Sequence, residues 1–178
     1  VLLVDLDPQG NATMGCGVDK HNLANSTCDP LLGDVALADC LCRVDDPSPG
    51  FDLLPANGDL TAAEVGLIGS PDRERRLAKV LADAVSDYEL VIVDCPPSLN
   101  MLTLNALVAA GGVLIPIQCE YYALEGLSAL MDTIEQIRVT SNPELQIEGL
   151  LRTMYDGRNN LALDVSEQLA SHFGDKLY

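Results

Sequence analysis

The sequence predicts an α/β fold, a mostly parallel sheet with helices on both faces. Three observations carry this expectation. Val1-Leu2-Leu3-Val4 and Leu90-Val91-Ile92-Val93 are unbroken apolar runs of strand length, and each ends in an aspartate, Asp5 and Asp94. Strand-like and helix-like stretches mostly alternate along the chain, as in a parallel sheet with right-handed crossovers. Hydrophobic residues make up 48% of the chain, which suits a sheet covered on both sides. A length of 178 residues gives room for one core and not for two comfortable domains, so 1–178 reads as a single domain.

The first strand is expected at 1–5, as a fully buried apolar run. Where it ends, Asp5 and Asp7 place two carboxylates at positions i and i+2. Charges there are costly unless they serve a site, and ligands of open α/β sheets bind at that edge. Pro8, Gln9, Gly10 and Asn11 then form a loop. Asp7 reads either as a turn-forming residue before Pro8 or as a carboxylate on a mobile loop that holds a water. A helix is expected at about 29–42, a surface turn at Asp45-Asp46-Pro47-Ser48-Pro49-Gly50, a strand at 51–55 and a helix at 60–67. Ser70 and Pro71 suit the cap and the first position of a helix over 72–86.

The strand at 90–94 repeats the design of the first, fully buried and closed by Asp94, with Pro96 and Pro97 stiffening the turn after it. Ser98 is the expected cap of a helix over 99–110. Another strand is expected at 112–117, followed by a helix over 122–139. On that helix Leu124, Leu127, Leu130, Met131, Ile134 and Ile137 recur at three and four, a core-facing stripe. Asn142-Pro143 ends it, because a residue before proline avoids the helical region. A strand at 147–153 and a helix at 161–173 complete the pattern.

Composition excludes several classes. No stretch approaches the roughly 18 apolar residues of a membrane helix, and no cationic leader precedes Val1, so a soluble cytoplasmic protein is expected. The net charge is −17, opposite to the basic footprint of nucleic-acid binding. Arg73, Arg75, Arg76 and Lys79 read as a solvated helix face offset by acidic neighbours. The six cysteines form no C-x-x-C, and His21 and His172 are not placed near cysteine pairs, so buried free thiols are expected rather than a zinc site. Cys95 and Cys119 lie beside the expected ligand edge, which leaves a redox role open.

Five segments together resemble one family. They are Asp5-Leu6-Asp7-Pro8-Gln9-Gly10-Asn11-Ala12-Thr13, the stretch from Leu90 to Ser98, Asn105-Ala106-Leu107, the block from Gln118 to Leu127, and Ile147-Glu148-Gly149-Leu150-Leu151-Arg152-Thr153-Met154. In order and content they resemble the ParA/Soj family of chromosome- and plasmid-partition ATPases, part of the MinD-like deviant Walker superfamily. The resemblance implies a P-loop NTPase-like fold, ATP and Mg²⁺ as cofactors, and hydrolysis of ATP to ADP and phosphate. It also implies a homodimer around ATP, non-specific DNA binding by that dimer, a ParB-like stimulating protein and association with the nucleoid. Arg152 and Arg158, which flank a loop, are the analogous candidates for a phosphate backbone.

Carried onto this chain, the resemblance makes Asp7 the residue tied to hydrolysis and Asp94 the Walker-B-like carboxylate for the metal. Asp5 would face the phosphates and Mg²⁺ through hydrogen bonds around the metal's ligands. Gln9, Gly10, Asn11 and Thr13 would form the γ-phosphate-sensing loop, a switch of the order–disorder type. Adenine contacts are expected after the strand at 147–153, where Met154, Tyr155 and Asp156 lie and Met154 is the cofactor candidate. Glu120 and Tyr121 stay open between a switch and a dimer face.

One departure stands out. Lys20, Lys79 and Lys176 follow Asp19, Ala78 and Asp175, so no G-x-x-x-x-G-K-[ST] loop occurs. The expectation is an internal fragment truncated at both ends, an incomplete ATPase domain inactive by itself. A naturally degenerate member is the alternative. Two other functions compete: a non-enzymatic ParA-like interaction module, and a MinD-like cell-division site regulator, which the block from Gln118 to Leu127 disfavours.

Overall fold

A computed structural model describes residues 1–46, 49–82 and 84–178. They gather into two compact units, Val1–Ala109 and Ala110–Tyr178. The fold is α/β with a mostly parallel sheet.

The first unit is built on a four-stranded sheet of order β2-β3-β1-β4, with β1 at Leu2–Asp5, β2 at Cys42–Val44, β3 at Phe51–Leu54 and β4 at Val91–Asp94. β1 pairs in parallel with β3, Leu3 opposite Leu53, and with β4, Leu3 opposite Ile92. Leu2, Val4 and Leu6 are completely buried and join Leu31, Leu54, Leu60, Leu77 and Leu102 in one core. β4 was expected to be equally buried, and it is not. Leu90 and Ile92 are 52% and 46% exposed, while Val91 and Val93 pack against the core. The exposed residues alternate with the packed ones, so β4 buries one face and leaves the other uncovered among the described residues.

Sequence periodicity locates the longer elements to within a few residues, and local chemistry explains the exceptions. Instead of one helix over 29–42, there is a short α2 at Cys28–Leu32, closed by Gly33 at φ 90°, and then a 3₁₀ turn at Leu37–Cys40. The left-handed conformation at Gly33 ends the helix at low cost because glycine has no Cβ. β2, absent from the sequence reading, is three residues long and antiparallel to β3. Arg43 anchors it by donating to Asp52 on β3 at 3.1 Å. Of the expected surface turn, Pro47 and Ser48 lie outside the described residues.

α3 runs over Leu60–Leu67 as expected. Pro71 sits in a turn rather than at a first helical position; a 3₁₀ turn at Arg73–Arg75 leads into α4 at Arg76–Ala82. Asp83, within the expected helix, lies outside the described residues. The start of α4 takes its partner from another helix. α5 spans Met101–Ala109, and the side chain of Asn105, completely buried, accepts from the Leu77 amide at 3.1 Å. Its amide nitrogen donates to the carbonyls of Arg73 at 2.7 Å and Met101 at 2.9 Å. At the start of α5 the cap is Asn100, not Ser98: Asn100 Oδ1 accepts from the amides of Leu102 and Thr103 at 3.1 and 3.0 Å.

In the second unit β5 (Gly112–Gln118) and β6 (Gln146–Thr153) form a parallel pair with a bulge between Val113 and Leu114. α6 covers Ala123–Thr140 and α7 covers Asn160–Phe173. On α6 Leu127, Ile134 and Ile137 are buried, and Leu124, Leu130 and Met131 are half-buried, so the stripe faces inward. Asn159 caps α7 by accepting from the Leu161 amide at 3.0 Å. No helix among the described residues is long and apolar enough to cross a membrane.

Asn105→Ala removes the acceptor of a buried helix-start amide and the donor to two carbonyls. We expect it to lower the unfolding free energy by about 2 kcal/mol. Urea denaturation reads this directly; an unchanged midpoint would mean that water replaces the lost amide.

Candidate functional site

β1 and β4 are parallel neighbours in a register that sets Asp5 directly opposite Asp94. Both strands therefore deliver a carboxylate to the same carboxyl-end edge of the sheet, and Asp7 follows two residues past β1. The three aspartates differ in how far the protein itself satisfies them.

Asp5 is completely buried and fully engaged. Its Oδ2 accepts from the Thr13 amide at 2.8 Å and the Thr13 hydroxyl at 2.7 Å, and its Oδ1 accepts from the Asp7 amide at 3.1 Å. Thr13, also completely buried, passes the link on by accepting from the Ala56 amide at 2.8 Å. The Thr27 hydroxyl lies 2.9 Å from the carbonyl oxygens of both Asp5 and Pro55. The turn between β3 and α3 is thereby joined to the end of β1.

Asp7 is half-buried and half-engaged. Its Oδ1 accepts from the Gln9 amide at 2.9 Å and its carbonyl from the Gly10 amide at 2.8 Å, which makes it a turn-former. The other carboxylate oxygen has no partner among the described residues. Gly10 has φ 58°, and a Cβ there would lie 2.5 Å from the Ala56 carbonyl oxygen. Both facts require glycine. Asn11 is exposed and opens α1, Asn11–Gly15. Gln9 is exposed, and its carbonyl accepts from the Lys20 ammonium.

Asp94 is exposed as a residue, and its carboxylate has no hydrogen-bond partner among the described residues. Its pKa is nevertheless raised, first by partial burial of the carboxyl and then by the charges of Asp5 and Asp7. An acidic edge with one unsatisfied, accessible carboxylate suits a divalent cation, which relieves the repulsion that raises this pKa. Among the described residues no three His, Cys, Asp or Glu side chains come together as a metal cage. Asp94 is the carboxylate at this edge that is left available to such a cation. The neighbouring Cys95 thiol is pushed up to about 12, by burial first and then by Asp94 and Asp7, so it stays protonated and unreactive at neutral pH.

Met154 belongs to the second unit. It is 87% exposed with φ 51°, a left-handed conformation rare outside glycine, and its sulfur accepts from Gln118 Nε2 at 3.4 Å. Beside it, Arg152 lies 5.2 Å from the centre of the Tyr155 ring. Arg152 also donates to Ser166 Oγ at 2.8 Å, and Arg158 donates to Asp156 at 2.9 Å, so both guanidinium groups have internal partners.

The sequence reading singled out Asp5, Asp7, Gln9, Gly10, Asn11, Thr13 and Asp94, and the first unit brings them to one sheet edge. It passed over Lys20, Thr27 and Ala56. Thr27 stands just before α2 without capping it, and the strand-directed hydroxyl leaves no local signal.

A family model described as an AAA domain matches residues 1–147. The chain is 44% identical over 180 residues to the chromosome partitioning protein ParA of Caulobacter vibrioides, covering all of this chain and 67% of the relative. It is 44% identical over 178 residues to the sporulation initiation inhibitor protein Soj of Bacillus subtilis, covering all of this chain and 70% of that protein. A solved structure from Mycobacterium smegmatis, described as cobyrinic acid a,c-diamide synthase with bound ADP and magnesium, superposes with a TM-score of 0.89. It is 43% identical, over 97% of this chain and 69% of that one.

The raised pKa of Asp94 has a stability consequence. Its folded value lies above the ordinary 3.8, so the native state holds the proton longer than the unfolded chain does. The resulting cost is absent below the unfolded value, grows between the unfolded and folded values, and is fully present above the folded one. Asp94→Asn should therefore stabilise the metal-free protein at about pH 7 and lose that advantage near pH 3. Urea midpoints of both proteins at the two pH values check this; equal midpoints at neutral pH would show that Asp94 is not frustrated.

Proposed function

We propose, for a chain that belongs to the ParA/Soj family of chromosome-partitioning proteins, that residues 1–178 carry the hydrolytic edge of a Mg²⁺-dependent ATPase. In this reading ATP binding, dimerisation and hydrolysis are coupled to chromosome or plasmid partitioning. The observation that carries it is the register of β1 and β4, which sets Asp5 opposite Asp94 with Asp7 just beyond.

Each carboxylate takes the task that its surroundings leave it. Asp5, saturated by three donors, fixes the loop. Asp94, unsatisfied, would hold the hydrated metal, whose charge would offset that of the phosphates. Asp7 keeps one carboxylate oxygen for the attacking water, to orient it and accept its proton. Gln9, Gly10 and Asn11 border that position. Residues 1–178 contain no G-x-x-x-x-G-K-[ST] loop, so the phosphates need a cradle of backbone amides and lysine from elsewhere. In this reading they form one incomplete ATPase domain.

Met154 and Tyr155 are proposed to meet the adenine. A homodimer around ATP and a ParB-like stimulating partner are proposed on family membership. Non-specific DNA binding draws little support from these residues, because Arg43, Arg73, Lys79, Arg138 and Arg158 pair with carboxylates. A second reading is a ParA-like surface that binds partners without turnover, and the two readings differ in whether the complete protein supplies that lysine loop.

The test is Asp7→Asn in the complete protein that carries residues 1–178. The amide keeps an oxygen for the Gln9 N–H but cannot take a proton. Hydrolysis should fall by about 100-fold while ATP affinity stays within about two-fold. Turnover at the parental rate removes Asp7 from the mechanism; loss of ATP binding moves it to the binding step. No turnover by the parent favours the second reading.

A further inference from the structure

The loop that carries Asp7 is gripped from outside by a cation. Lys20 is the only lysine or arginine before Arg43, in a stretch that also holds six aspartates, Asp5, Asp7, Asp19, Asp29, Asp34 and Asp39. It is half-buried, on a 3₁₀ turn over Lys20–Asn22. Asp19 starts that turn, its side chain accepting from the His21 amide at 3.0 Å. From there the Lys20 ammonium donates to the Gln9 carbonyl.

The stem of the same lysine lies across Gly10. A Cβ at Gly10 would come within 3.0 Å of Lys20 Cδ on one side and 2.5 Å of the Ala56 carbonyl oxygen on the other. Gly10 is thus held between the lysine stem and the β3–α3 turn. The backbone of Gln9 is engaged at both ends, its N–H with the Asp7 carboxylate at 2.9 Å and its C=O with Lys20. A charge-assisted bond of this kind is stronger than one between neutral groups, and here it ties the segment that orients Asp7.

We infer that Lys20 is a positioning residue for Asp7: by strapping the Gln9 carbonyl and covering Gly10, it fixes the direction of the free Asp7 oxygen. The inference rests on the reading of Asp7 as the hydrolytic carboxylate. It gives Lys20 no contact with the nucleotide. The strap acts on geometry alone, so its loss should slow turnover and leave affinity alone.

The experiment compares Lys20→Met and Lys20→Arg in the complete protein. Methionine keeps an apolar stem and loses the donor; arginine keeps charge and reach. Without nucleotide, amide hydrogen exchange over residues 7–14 should be faster by about five-fold or more in Lys20→Met and near parental in Lys20→Arg. In steady-state ATP hydrolysis, Lys20→Met should lose about ten-fold in kcat with KM within about two-fold, and Lys20→Arg should recover most of it. Thermal melts of the three proteins should agree within a few degrees, which separates a local release from general unfolding.

Unchanged exchange in Lys20→Met would overturn the strap. Faster exchange with parental kcat would overturn its role in positioning, as would an arginine variant no better than methionine. A complete protein with no ATP turnover would count against the hydrolytic reading, and the exchange arm would then decide the strap by itself.

Discussion

A carboxylate with no water around it is among the costliest groups a fold can hold, and Asp5 is one. Among the described residues it is compensated by hydrogen bonds and not by a charged side chain, and all three donors come from the segment that follows β1. The charge is tolerable only when that segment has turned back on the strand. Thr13 then reaches Ala56, and Thr27 reaches Asp5 and Pro55, so one buried charge fixes three pieces of chain. A network of this kind is worth most when complete, because a single missing donor leaves the charge only partly compensated. Among the described residues no buried side-chain nitrogen or oxygen lacks a partner.

The three aspartates form a gradient across one sheet edge. Asp5 has three donors, Asp7 has one, and Asp94 has none among the described residues. A fold optimised for stability alone would not leave a carboxylate with a raised pKa beside two others. Active sites commonly show this combination, because groups left unsatisfied by the protein are available to a ligand. The half-buried neighbour Cys95 feels the same carboxylates: desolvation first, and then Asp94 and Asp7, disfavour its thiolate.

Much of this was readable in advance, and the limits have a common cause. Strands at 1–5, 51–55 and 90–94, the helix at 60–67 and the long helix from about 122 carry their period in consecutive residues. The aspartates at strand ends were conspicuous as charges after apolar runs. β2 was not readable, because Cys42-Arg43-Val44 is too short for a pattern and owes its place to Asp52 across the sheet. The caps expected at Ser70 and Ser98 failed for a related reason: Asn105 reaches α4 from 28 residues away, and Asn100 stands nearer the start of α5. The partners of the site lie equally far off. Thr13 meets Asp5 across eight residues and Ala56 across 43. Sequence marks a residue that is chemically out of place, but what satisfies it is settled by the fold.

The half-covered strand β4 has a practical side. Among the described residues of the first unit no strand pairs with its outer edge, which carries no lysine, proline or bulge that would discourage one, and Ile92 adds exposed apolar surface there. Natural sheets rarely leave such an edge open, because it is a template for a strand from any other chain. In the test tube that means a concentration-dependent tendency of residues 1–178 to aggregate, driven by backbone pairing and apolar contact. The high negative charge slows such association at low ionic strength, and added salt weakens that protection. Purification of these residues by themselves is therefore best kept dilute and low in salt.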